Sequence, residues 1–128
     1  MEYTIKRTID DGFDAVVERT VAALKTEGFG VLSDIDIQST LKAKLGVDFP
    51  RYRILGACNP LLALQALQAE ATIGVMLPCN VVVHETASGK VEIAAIDPHA
   101  VIGAIGNPVL TAVATAVAEK LSRAVASA

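Results

Sequence analysis

The sequence predicts an α+β domain in which a mixed or antiparallel sheet is packed with helices, its elements running β-α-β-α-β-α-β-β-α. Three observations carry this expectation. Segments with the period of two that suits half-buried strands alternate with segments whose apolar residues recur at three and four, the period of a helix. Two strand-like segments between about Val81 and Ile96 are joined by Ala87-Ser88-Gly89-Lys90, a hairpin-type connection that forces at least one antiparallel pair. The 128 residues lie near the commonest size for one domain, so residues 1–128 are read as a single unit.

In chain order, Tyr3, Ile5 and Arg7 alternate with Thr4, Lys6 and Thr8 as a first strand. Asp10 or Asp11 then caps a helix with Phe13, Val16, Val17, Val21 and Leu24 on its apolar face, and Gly28 stops it. Phe29 to Ile35 is β-rich. Asp36 caps a short helix bearing Ile37, Leu41 and Leu45, ended by Gly46. Tyr52 to Cys58 reads as a strand. Asn59-Pro60 starts a third helix, with Asn as cap and Pro at the first position, where its missing N–H costs nothing; that helix reaches about Glu70. Ile73 to Glu85 is read as a bent strand or two short ones, interrupted at Pro78 because proline cannot donate to a ladder. Val91 to Ile96 is the last strand, ended by Asp97-Pro98. A second Asn-Pro start at Asn107-Pro108 launches a final helix with Val109, Val113, Val117, Leu121 and Ala124 on one face.

Apolar residues make up 52% of the chain and charged residues only 20%, a balance that leaves apolar surface for a partner to cover and predicts a homodimer. The net charge is −3 and the eleven Lys and Arg are scattered singly, so no stripe exists to neutralise consecutive phosphates and nucleic acid is not an expected partner. The opening Met-Glu-Tyr-Thr-Ile-Lys-Arg has no apolar run after its basic residues, which argues against a secretory signal and for a cytoplasmic protein. Ala100 to Ala118 is broken by Gly103, Gly106, Asn107 and Pro108. Its unbroken part is shorter than the ~20 apolar residues of a membrane span, and it is read as a buried helix.

No catalytic motif is present: there is no phosphate loop, zinc-protease, nucleophile-elbow or calcium-loop pattern, and the glycines of Gly28-Phe29-Gly30 precede a strand where a dinucleotide fingerprint needs them to follow one. Enzymatic activity is therefore not expected, and no cofactor is named. The distinctive segments are Leu55-Gly56-Ala57-Cys58-Asn59-Pro60 and Leu77-Pro78-Cys79-Asn80, each placing a Cys-Asn pair where a strand ends or bends. Cys58, Asn59, Cys79 and Asn80 are accordingly the candidate ligand-binding residues. One reading is that the thiols meet at a site, with His84, Asp97 or His99, to bind a soft metal or carry sulfur chemistry. The other is that both cysteines are small buried hydrophobes, Asn59 a helix cap and Asn80 a turn residue; it carries more weight because free cysteine is so often buried. If a thiol reacts, Cys58 is favoured by its place just before a helix cap. Asp34, Asp36 and Asp48 suggest a divalent cation less readily than capping and solvation.

Gly-Phe-Gly-Val-Leu-Ser-Asp-Ile-Asp from Gly28, Leu-Lys-Ala-Lys-Leu-Gly from Leu41, Tyr-Arg-Ile-Leu-Gly-Ala-Cys-Asn-Pro from Tyr52 and Ile-Gly-Val-Met-Leu-Pro-Cys-Asn-Val-Val-Val from Ile73 resemble the uncharacterised bacterial and archaeal family known as domain of unknown function 302. The resemblance runs from about Gly28 to Pro98. It implies a small α+β domain, usually standing alone and dimeric, with no assigned biochemical role, and it gives the two Cys-Asn words added weight. A non-enzymatic module that binds a small ligand or partner near those strand ends is the leading expectation. Thiol-based metal binding or sulfur handling through Cys58 and Cys79 is the alternative.

Overall fold

The computed structural model describes residues 2–128; Met1, which opens the N-terminal stretch read above, lies outside them. Strands β1 (Thr4–Ile9), β2 (Gly30–Asp36), β3 (Tyr52–Cys58), β4 (Cys79–Glu85) and β5 (Val91–Ile96) form one sheet in the order β1-β5-β4-β3-β2. All four pairings are antiparallel, which settles the choice left open between a mixed and an antiparallel sheet. Helices α1 (Phe13–Thr26), α2 (Ile37–Leu45), α3 (Pro60–Ala69), α4 (Pro98–Ile102) and α5 (Pro108–Ser127) complete the fold.

The strand alternation decides where the core lies. Leu55 and Ala57 of β3, Val81 and Val83 of β4, and Val91, Ile93 and Ala95 of β5 are buried on one face of the sheet. They pack against Val16 and Leu24 of α1 and Leu110, Val113, Val117 and Leu121 of α5. Arg7 holds the far end of α5: its Nη1 donates to the carbonyls of Ala126 and Ala128, both at 2.8 Å, so a cation meets the negative end of the helix.

The helix starts follow the sequence at three places and depart from it at one. Asp36 accepts from Ser39 N–H, Asn59 from Leu62 N–H and Asn107 from Val109 N–H, and Gly46 closes α2 in the left-handed conformation. Helix α1, however, is not capped by Asp10 or Asp11. Gly12 takes the cap position with no side-chain bond, while Asp11 accepts from Gly12 N–H and from Arg19 at 2.7 Å. That ion pair holds the Asp11 carboxyl below the usual carboxylate range.

Three further expectations are corrected. Residues Ala71–Met76 form a 3-10 segment, so the strand expected from Ile73 begins only at Cys79, beyond the cis Leu77-Pro78 bond. An apolar β-branched run looks alike in a strand and in a buried short helix, which periodicity alone cannot separate. Ala100 to Ala118 is not one helix: α4, a 3-10 turn at Gly103–Ile105 and α5 share it, divided at Gly106-Asn107-Pro108. Asp97 ends β5 but also caps α4, accepting from His99 N–H. The exposed Val21 and Val109 fall outside the helix faces read for them, Leu110 taking the buried place beside Val113. Among the described residues, no helix is long and apolar enough to cross a membrane.

Candidate functional site

Where β3 and β4 end, α3, the Ala71–Met76 segment, α4 and α5 close around a cavity of about 360 Å³. Small side chains make this space. Ala63 and Ala66 of α3 and Ala114 of α5 stand where larger residues would fill it, and Ile73, Leu77 and Ile102 form further walls. Volume and apolar lining both fit a small-molecule site. Among the described residues, no charged side chain lines the cavity; its polar groups are Cys58, Asn59, Cys79 and Asn80.

The four residues singled out in the two Cys-Asn words thus come together at one cavity. Register explains why. Ala57 pairs with Cys79 and Gly56 with Asn80, so the two words lie side by side on neighbouring strands. Asn59 caps α3 through Oδ1, which accepts from Leu62 N–H at 3.3 Å, and its Nδ2 lies beside Gly28, where a built Cβ would meet it at 3.0 Å. Asn80 is exposed at the cavity mouth, and among the described residues its amide makes no hydrogen bond, leaving donor and acceptor free for a ligand.

Both cysteines are free and partly buried. Burial pushes the Cys79 thiol from its ordinary 9.0 up to about 11, and the neighbouring Cys58 adds to the rise. Cys79 is therefore a neutral thiol near neutral pH. Burial, the larger cause, persists when Cys58 is removed, so the remaining thiol of a Cys58→Ser variant is expected to alkylate at least about tenfold slower than a free thiol below pH 9. Labelling of a Cys79→Ser variant, which reports Cys58, should be the faster. The same shift sets a stability window, because the raised folded pKa makes the thiol's contribution whole below pH 9 and lost as pH rises to about 11. Equal labelling rates for the two variants would contradict this picture.

The wider metal set does not assemble. His84 lies on β4, its Nε2 3.0 Å from Glu92 Oε1 and its ring against Tyr52 at 5.2 Å. His99 lies in α4, between Asp97 at 3.1 Å and Thr115 at 3.1 Å. Cross-strand and helical partners therefore hold the two imidazoles apart from the thiols. Among the described residues, no group of three or more His, Cys, Asp or Glu is placed to hold a metal ion. Asp34, Asp36 and Asp48 are likewise dispersed, to a two-pronged pair with Arg53, the α2 cap and Lys42. The Arg53 guanidinium holds the Asp34 carboxyl below its usual range.

Sequence reasoning missed the apolar walls of the site. Their one signal was alanine at positions of α3 and α5 that face the strand ends, and alanine is common enough in helices to carry little information.

The chain matches the family model described as "Domain of unknown function DUF302" over residues 5–128. No curated protein matches it. It is similar to the crystal structure of an uncharacterized conserved protein DUF302 from Bacillus stearothermophilus, with 29% sequence identity, 98% of each chain covered and a TM-score of 0.91.

Proposed function

This chain belongs to the DUF302 family, whose description assigns no function, and we propose that it is a binding module for a small, uncharged, largely aliphatic ligand with one hydrogen-bonding end. The observation that carries the reading is the cavity itself: about 360 Å³, apolar on nearly every side and free of charged side chains. A carboxylate or ammonium drawn into such a space would lose its hydration with no counter-charge to offset the loss, which selects against ionic ligands. An aliphatic body would gain from burial against Ile73, Leu77 and Ile102. Asn80 would meet the polar end at the mouth.

The probe is N-phenyl-1-naphthylamine, a neutral fluorophore. Its emission should rise to saturation at one equivalent per chain, and Ala66→Phe, which places a ring in the cavity, should weaken binding at least tenfold with the far-UV CD spectrum kept. If Ala66→Phe does not fold, Met76→Trp at the half-exposed rim gives the same comparison. Unsaturable binding, or equal affinity in the filled variant, would reject the reading.

The thiol reading stands second, supported by Cys58 and Cys79 lining one cavity and by the influence of one on the other's ionisation. Free thiols also suit a reducing compartment, so the cytoplasm is the location we propose.

A further inference from the structure

The face of the sheet turned away from α1 and α5 is hollowed by a groove of about 470 Å³. Strand alternation sets its floor: Val81, Val83, Ile93 and Ala95 are buried toward the helices, so the paired Val82 and Ala94 point the other way. These two are small, and larger side chains rise around them. Tyr52 and His84 stand at one end, their ring centroids 5.2 Å apart, and Tyr3 and Ile96 at the other. Asn80 and Ile96 line both this groove and the cavity described above, so the two spaces adjoin at one end of the sheet, where Thr4 of β1 pairs with Ile96.

The polar groups of the groove are unequally employed. Glu92 is held by His84 at 3.0 Å and Glu2 accepts from the Thr4 hydroxyl at 2.8 Å, while among the described residues the side chains of Lys6 and Asn80 make no hydrogen bond. The Lys6 ammonium can only donate and the Asn80 amide donates as well, so the groove suits a ligand rich in acceptors. Glu2 and Glu92 stand in the same groove and turn away an anion, which leaves neutral oxygen as the acceptor. Two strand spacings of ~4.8 Å and two residues of ~3.4 Å put the Lys6 and Asn80 Cα atoms about 12 Å apart, on opposite sides of β5, so one flat ring seated over Ala94 can offer an oxygen to each. We propose that this groove is the head-group half of one binding site and that the ligand is an amphiphile of the quinone class. Its aliphatic tail lies in the cavity and its flat, neutral ring on the sheet face, with opposite carbonyls accepting from Lys6 and Asn80. The inference rests on the reading of the cavity as an aliphatic site. It accounts for the mixed lining of the face, since Val82 and Ala94 lie against the plane of the ring while the two free donors meet its edges.

Calorimetric titration of the full chain separates head from tail. Decylubiquinone, whose fully substituted ring does not alkylate thiols, carries both parts, and 1-decanol carries the tail alone. Decylubiquinone should bind once per chain and at least about tenfold more tightly than 1-decanol. Lys6→Met, at an exposed position, should weaken decylubiquinone at least about tenfold and leave 1-decanol unchanged; Ala94→Phe, which fills the floor of the groove, should do the same. Equal affinity for the two probes, or a decylubiquinone affinity that both variants leave intact, overturns the head subsite while the cavity reading stands. Binding of neither probe overturns the cavity reading and this inference with it. Should Ala94→Phe fail to fold, Lys6→Met alone decides.

Discussion

Gly56→Ala is expected to lower stability by about 1–3 kcal/mol, the usual cost of forcing one methyl into a packed site, and to loosen the cavity at the same time. The reason is space. Gly56 lies in β3 between Ser33 of β2 and Asn80 of β4, and a methyl built there would overlap the Ser33 hydroxyl and come within 2.8 Å of Pro78 Cγ. The exposed Ser33 hydroxyl, which among the described residues makes no hydrogen bond, can turn aside, but the proline ring is rigid and cannot. Pro78 leads directly into Cys79 and Asn80, so displacing it moves two cavity residues together. Chemical unfolding would show a lower midpoint at constant slope, and the thiol of Cys79 should alkylate faster than in the parent chain. Adding Ser33→Ala removes one of the two collisions and should recover part of the loss. A Gly56→Ala protein within about 0.5 kcal/mol of the parent would mean the strands part easily here, and the close approach would explain nothing.

Much of this arrangement is legible in the sequence, and the illegible part has a common physical cause. Asn59-Pro60 and Asn107-Pro108 announce their helices because capping is local chemistry, decided by a side chain and the N–H groups two or three residues on. The meeting of the two Cys-Asn words is partly legible: each marks a strand end, but only the β3–β4 register sets them side by side. The start of Ile73 to Glu85 fails because a short apolar run has no period that separates a strand from a 3-10 turn; of Ala71–Met76 only Ile73 is buried, and Val75 stands exposed. The α1 cap fails because Asp11 answers a second demand, the guanidinium of Arg19, from just outside the cap position. The four-residue metal set does not assemble among the described residues, since His84 is held by Glu92 and His99 by Asp97.

Leu121→Ala and Leu64→Ala are expected to differ by several kcal/mol although both remove the same atoms from a helix. Leu121 is 0% exposed in α5, locked between the sheet and α1, and its loss removes buried methylenes and leaves a cavity that the surrounding strands can only partly fill; about 2–5 kcal/mol is the expected cost. Leu64 is 51% exposed in α3, whose single fully buried side chain is Ala66, so its truncation exposes little and should cost less than about 1 kcal/mol. Hydropathy ranks the two helices the wrong way round: Leu61, Leu64 and Leu67 of α3 turn outward, while Leu62, Ala63 and Ala66 face the strand ends and line the cavity beneath them. Denaturant midpoints of the two variants, measured at one protein concentration so that self-association is held fixed, test this directly. If Leu64→Ala proves as damaging as Leu121→Ala, then α3 packs closer to the sheet in solution, and the cavity that supports a binding role is smaller than its walls indicate.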